Sequence, residues 1–227
     1  MFAALFEVQP KTTQWDAYLG TAKMLRPELE KIDGFVDNIR YRSLTRDGWI
    51  LSLSSWRDEK ALVRWRTKMR HHQAQEKGRA EILADYHLRV GQVTRDTRVP
   101  AGQVIHEQRL DETEVGDATT VILLDGKRPS NWVRQSAAHE VGEWLGVDRN
   151  GDGLVSWDVF GGVLTPGDVI AMMSWRTSRA ADAFESLLVL EDGVRLRRVR
   201  VVRDYSMFDR REATQYYPDI PRPSETP

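Results

Sequence analysis

The chain has 227 residues, which exceeds the commonest single-domain length and leaves room for two compact units of about 100 residues each. Its 33 Lys and Arg residues balance 34 Asp and Glu residues, and a formal net charge of -1 argues against recruitment of nucleic acid or anionic lipid by an overall field. The absence of cysteine excludes disulfides, thiolate metal sites and a cysteine nucleophile.

The amino-terminal segment does not resemble a signal peptide, so we do not expect export. Met1 to Val8 lacks the basic region of a signal peptide and reaches Glu7 early. No apolar run approaches the roughly 18 residues needed to cross a bilayer. We therefore expect a cytoplasmic protein with neither a membrane nor a nucleic-acid partner.

The first predicted elements are a strand, a helix and a hairpin. Phe2 to Val8 is an apolar strand candidate, and a helix begins near Thr13. Apolar residues recur along this helix at helical spacing, which predicts one buried face: Trp15, Leu19, Ala22, Leu25, Leu29 and Ile32. The hairpin that follows has one strand through Tyr41 and another from Ile50 to Trp56.

A second helix is predicted over Asp58 to about Lys77, with Gly78 ending it. Its expected buried stripe contains Leu62, Trp65, Met69 and His72. His71 would then lie roughly 100° away around the helix. A last strand follows at Tyr86 to Val93.

The whole pattern then recurs. Gly34 to Arg57 is echoed by Gly153 to Arg176 at a constant offset of 119 residues, as Ser55-Trp56-Arg57 and Ser174-Trp175-Arg176 illustrate. The last strand recurs at Arg198 to Arg203 with a shorter offset, because the second copy lacks about a dozen residues near its second helix. An internal repeat of this length indicates two copies of one supersecondary unit.

The pattern in each copy predicts the element order β-α-β-β-α-β, which is the ferredoxin-like arrangement of an α+β protein. Ile50, Leu51 and Leu53 make the sheet apolar on both faces, so the face without helices needs a cover. Two sheets packed face to face within one chain provide it, as an internal pseudo-dimer. The predicted division is an amino-terminal unit at 1–98, a linker at 99–117, a degenerate carboxy-terminal unit at 118–213 and an extended Pro-rich tail at 214–227.

Five short segments carry a family resemblance: Leu25 to Leu29 ahead of Asp33-Gly34-Phe35, then Leu53 to Asp58, then Ala74-Gln75 before Gly78-Arg79. On these residues the chain resembles the antibiotic biosynthesis monooxygenase (ABM) family, in a tandem two-copy form. The resemblance covers Phe2 to about Asp96 well and Thr119 to about Asp209 more weakly. It implies a dimeric α+β barrel, and the family includes oxygenases, haem degraders and proteins without a known function.

The first functional hypothesis is an oxygenase. Family members that oxidise anthrones without a cofactor resemble this chain in the Trp that closes the third strand, here Trp56, but carry Asn where this chain has Ser52. The resemblance implies oxidation of a small aromatic or polyketide-like substrate by O2 in a dry cavity of the amino-terminal unit. In this reading Trp56 shapes the cavity, and His71 or His72 accepts a proton. Tyr41 or Asn38 anchors substrate oxygens from opposite faces of one strand.

Two alternatives stay open. Haem-degrading members resemble the chain in having a Trp at the Trp65 position, but their helix His falls at Gln75, so His71 or His72 would have to bind the haem iron. The other alternative is a non-catalytic barrel that binds a small ligand. No metal site is expected from the sequence, and whether two chains form a homodimer is open.

Overall fold

The computed structural model describes residues 1–129 and 138–213. The amino-terminal unit contains β1 (Phe2–Pro10), α1 (Trp15–Leu29), β2 (Phe35–Ser43), β3 (Ile50–Trp56), α2 (Glu59–Arg66), α3 (Met69–Lys77) and β4 (Leu83–Asp96). The carboxy-terminal unit contains β5 (Thr120–Lys127), α4 (Ala138–Leu145), β6 (Leu154–Gly162), β7 (Asp168–Trp175), α5 (Ser178–Leu187) and β8 (Arg195–Ser206). The predicted tail at 214–227 lies outside the described residues.

The eight strands form one closed barrel in the order β1-β3-β2-β6-β7-β5-β8-β4. Each unit contributes four antiparallel strands, and the pairs β2–β6 and β4–β8 join the two sheets at both edges. The predicted α+β barrel is therefore confirmed. Its interior is filled with apolar side chains from both units, among them Leu5, Leu53, Leu123, Phe160 and Val199.

The two units match in register. Phe2 lies opposite Trp56 in the first, and Thr120 lies opposite Trp175 in the second. The entry to each hairpin is a glycine with positive φ, +91° at Gly34 and +78° at Gly153. A Cβ at either position would come within 2.7 Å of an alanine side chain on the following helix, so both the backbone conformation and the packing require glycine.

Both faces of the amino-terminal sheet carry buried apolar side chains, as predicted. Leu51 and Leu53 belong to the cluster inside the barrel, whereas Ile50 packs on the other side with Val8, Ile82 and Tyr86. The outer face is the one that the helices cover.

The prediction of one continuous second helix is wrong. The helix breaks after Arg66, because Lys68 has the extended dihedral angles φ -61° and ψ 130°. A break of this kind resets the rotational phase, so the side chains of α3 do not continue the stripe of α2. Met69 is 74% exposed and does not belong to a buried stripe.

Gly78 does not end the helix either. It keeps helical angles, φ -54° and ψ -53°, and the chain continues as a π-helical turn over Gly78–Ile82 before β4. The side chains of Arg79 and Ile82 are buried in this turn.

Residues 97–119 form no helix or strand, and the proposed linker at 99–117 lies within them. The exact domain boundaries stay a prediction. Within the described ranges, no helix is long and apolar enough to span a membrane.

Candidate active site

A cavity of about 230 Å³ lies between the outer face of the amino-terminal sheet and helices α1, α2 and α3. Two cross-strand rows form its floor. One runs Leu88–Phe6–Ser52–Arg40 and the other Val90–Ala4–Ser54–Asn38 across β4, β1, β3 and β2.

This floor has two chemical halves. The half on β1 and β4 is apolar, whereas the half on β2 and β3 carries hydroxyl, amide and guanidinium groups. Asn38 Nδ2 donates to Ser52 Oγ at 3.1 Å and to the Leu53 carbonyl at 3.2 Å. Trp56 Nε1 donates to Ser54 Oγ at 2.9 Å. These hydrogen bonds hold the side chains of the polar half in place. The Trp56 indole closes that end of the cavity.

The roof comes from three helices. Tyr18, Leu25 and Leu29 project from α1, and Leu62 and Trp65 from α2. The third helix adds His71, Ala74 and Gln75.

Among the described residues, His71 is the one histidine that lines the cavity. Its ring stacks on that of Trp65, with centroids 4.3 Å apart and planes inclined by 19°. Its Nδ1 lies 3.1 Å from the Trp65 carbonyl oxygen, which can only accept, so Nδ1 carries the proton and Nε2 keeps its lone pair. Burial lowers the pKa of His71 to about 4, against the opposing effect of its backbone hydrogen bonds. The imidazole is therefore neutral at physiological pH.

The charges around the cavity have one sign. Five arginines line it, and among the described residues no Asp or Glu does: Arg26, Arg40, Arg66, Arg79 and Arg210. At the β4 end, Arg79 donates to the Tyr86 hydroxyl at 2.6 Å, and Arg210 donates to the same oxygen. The sequence did not predict that these arginines meet, because they come from separate elements of the chain.

The structure brings four of the predicted site residues together, since Asn38, Trp56, Trp65 and His71 all line this cavity. It places Tyr41 elsewhere. Tyr41 is 2% exposed, belongs to the cluster inside the barrel, and has a pKa raised by burial.

His72 also lies away from the cavity. Its side chain is 42% exposed, with Nε2 3.4 Å from a Glu76 carboxylate oxygen. The expectation that His72 packs on the buried stripe is therefore wrong, because the break before α3 turns His71 inward instead.

The equivalent region of the carboxy-terminal unit is packed with side chains. Phe184 takes the place of Trp65 and Ala171 that of Ser52. The Phe184 ring stacks on Trp175 with centroids 4.9 Å apart, and Trp175 is completely buried. The cavity described above is therefore built on the amino-terminal sheet and its helices, with Tyr205 and Arg210 added from the carboxy-terminal unit.

Haem does not fit the cavity in this form. The volume of about 230 Å³ is below the range of about 300–1,000 Å³ typical of sites for drug-sized ligands, and a porphyrin is larger than most of those. In residues 1–129 and 138–213, no cluster of three or more His, Asp or Glu side chains could hold a metal ion.

Comparison with known proteins identifies relatives. The profile of the family described as antibiotic biosynthesis monooxygenase matches residues 1–77. The chain is 48% identical over 222 residues to "Jasmonate monooxygenase ABM" of Pyricularia oryzae (strain 70-15), an alignment that covers 96% of this chain and 99% of that protein. A crystal structure of an aldoxime dehydratase in complex with butyraldoxime shares the fold, with a TM-score of 0.56 and 11% identity over 90% of this chain and 81% of that one. With a relative this similar along almost its whole length, the chain belongs to the antibiotic biosynthesis monooxygenase family.

Proposed function

We propose that this protein is a monooxygenase that oxidises jasmonate, or a small organic acid of similar size and polarity, in the cavity of its amino-terminal unit. The observation that carries the proposal is the neutral His71 imidazole at the wall of a largely apolar cavity. The name of the 48% identical relative supports the substrate class.

His71 is suited to the role of general base. Its imidazole is unprotonated at working pH and lines the cavity, so it is available to accept a proton from a substrate positioned against it. The bond from Nδ1 to the Trp65 carbonyl fixes the tautomer, and stacking on Trp65 fixes the plane of the ring. Nε2 is then the atom that takes the proton.

The remaining lining residues position the substrate. The apolar half of the floor and Leu25, Leu29 and Leu62 above it exclude water from the reacting carbon. Trp56 closes one end. Asn38, held by Ser52 and the Leu53 carbonyl, is placed beside the polar part of the ligand.

The cofactor-independent reaction that the family resemblance implies balances if the substrate supplies all the electrons. His71 removes a proton from a carbon activated by a neighbouring carbonyl, and the carbanion combines with O2 to give a peroxide, which takes the proton back. Loss of water then converts the original CH2 to C=O, so one oxygen atom stays in the product and the other leaves as water. Simple hydroxylation of C–H to C–OH would instead need a separate two-electron reductant.

The test is oxidation of jasmonate under ¹⁸O2 by protein freed of metals, with and without an added reductant. We expect substrate-dependent O2 uptake and one ¹⁸O atom in the product, both lost in His71→Gln and retained in His72→Gln. No oxidation of jasmonate, hydroquinones or anthrones under either condition would contradict the proposal and leave a non-catalytic binding protein. A saturable Soret band on addition of haem, with activity only then, would establish the haem alternative instead.

A further inference from the structure

Arg40 differs from three buried or largely buried arginines of the neighbouring strands, each of which has a carboxylate partner. Arg89 is paired with Glu7, Arg197 with Asp125 at 2.7 Å, and Arg195 with Asp96 at 2.5 Å. No carboxylate of the described residues lies within ion-pair distance of Arg40, although it is partly buried in the cavity floor. Its Nε atom is buried and has no hydrogen-bond partner.

A charge held partly out of water without a counter-charge is unfavourable. Proteins retain such groups where a ligand supplies the missing charge, and a guanidinium matches a carboxylate in geometry as well as in sign. Since the described lining of the cavity contains no Asp or Glu, an anionic ligand is the group that would supply a counter-charge inside it.

Tyr18 adds a second donor at the same place. Its oxygen accepts a hydrogen bond from Arg40, so its own hydroxyl hydrogen is left to donate. Ser52, directly opposite Arg40 in the strand register, offers a further hydroxyl. These groups form a compact cluster of donors at the polar half of the floor.

We infer that Arg40 and Tyr18 hold the carboxylate of an organic acid substrate, whose apolar body lies over the β1 and β4 half of the floor. This inference deepens the proposed function and rests on it for the choice of ligand. Arg40 is then a residue that determines specificity for acids over neutral analogues. Anchoring the carboxylate on β2 also fixes which end of the molecule reaches the apolar half.

The experiment compares a free acid with its neutral ester, so that only the charge changes. Binding of jasmonate and methyl jasmonate is measured by quenching of tryptophan fluorescence in the absence of turnover, because Trp56 and Trp65 line the cavity. We expect the wild-type protein to bind the acid at least about tenfold more tightly than the ester. Arg40→Gln should remove that preference, with a loss of about 10- to 100-fold in acid affinity and little change for the ester.

Arg42→Gln is the matched control. Arg42 lies two residues further along β2 on the same face, but its guanidinium stacks over Trp15 at 4.6 Å outside the cavity. It should retain the preference for the acid. Tyr18→Phe, which removes a single hydroxyl group, should weaken acid binding severalfold and leave ester binding unchanged, and it serves as the test if Arg40→Gln fails to fold.

Equal affinity of the wild-type protein for acid and ester would overturn the inference, as would a preference that survives in Arg40→Gln. Loss of the preference in Arg79→Gln but not in Arg40→Gln would assign the carboxylate to the opposite end of the cavity and also refute it. Since binding is measured without oxidation, a protein that binds the acid through Arg40 but oxidises nothing would refute the proposed function alone.

Discussion

The imidazole of His71 lies almost parallel to the indole of Trp65, 4.3 Å away, and its Nδ1 faces the carbonyl of that same residue at 3.1 Å. The last turn of α2 therefore both covers the ring and selects its tautomer. A two-residue break between α2 and α3 makes this possible, because it returns His71 toward the residue six positions earlier.

The first prediction concerns the paired histidines. His71→Gln should lower kcat by about 10²- to 10⁴-fold, the usual contribution of a general base, with a smaller change in KM. His72→Gln is the matched control, since His72 is an exposed neighbour that pairs with Glu76, and its kcat should stay within about twofold of the wild type. The measurement is the rate of product formation by each variant. Equal losses of kcat in His71→Gln and His72→Gln would refute a specific role for His71.

The low pKa of His71 predicts a dependence of stability on pH. Burial holds its folded pKa at about 4, below the ordinary value of 6.5, so between these values the unfolded chain binds a proton that the folded protein does not. The contribution of His71 to the free energy of unfolding is therefore fully present above pH 6.5 and is lost as the pH falls toward 4. Urea unfolding at pH 7 and pH 5 should show a larger decrease for the wild type than for His71→Gln. A decrease of equal size would contradict the depressed pKa.

Corresponding positions in the two units should respond differently to truncation. Phe184→Ala removes a ring packed on Trp175 and should cost about 3–5 kcal/mol of stability, with unchanged KM in the molecules that remain folded. Trp65→Ala should cost less stability, because its ring is partly exposed, but should raise KM and lower kcat. Denaturant unfolding and steady-state kinetics on both variants separate the effects. A KM shift in Phe184→Ala would indicate a functional site in the second unit.

A buried ion pair lies inside the barrel. Glu7 and Arg89 are 5% and 2% exposed and are bonded to each other. Burial by itself would raise the pKa of Glu7, but Arg89 and Arg46 outweigh it and hold that pKa below its ordinary value. Glu7→Gln should destabilise the protein by about 3–5 kcal/mol, because it leaves the Arg89 charge buried and unpaired.

The double variant Glu7→Leu/Arg89→Met provides the control for that prediction. It removes both charges and should recover part of the lost stability, as measured by denaturant unfolding at pH 7. The pair is also expected to weaken with acid, since a depressed carboxyl pKa gives stability that is lost as the pH falls through the folded value. Additive losses in the double variant would show that the two residues do not stabilise each other.

The sequence by itself determined the fold. The repeat of Gly34 to Arg57 at Gly153 to Arg176 and the apolar residues on both faces of β3 were sufficient to predict two packed sheets with helices outside, because periodicity and repetition are properties of the chain alone. Sequence also selected Trp56, Trp65, Asn38 and His71 as candidates, all of which line one cavity.

Only the tertiary structure decided which alternatives face that cavity. Strand alternation separates Tyr41 from Asn38 but does not tell which face the helices cover, and the packing of Tyr41 inside the barrel settles it. The choice between His71 and His72 depends on the dihedral angles of Lys68, which no periodicity encodes. The unpaired charge of Arg40 is visible only in three dimensions, because an ion pair or its absence depends on which distant segments meet.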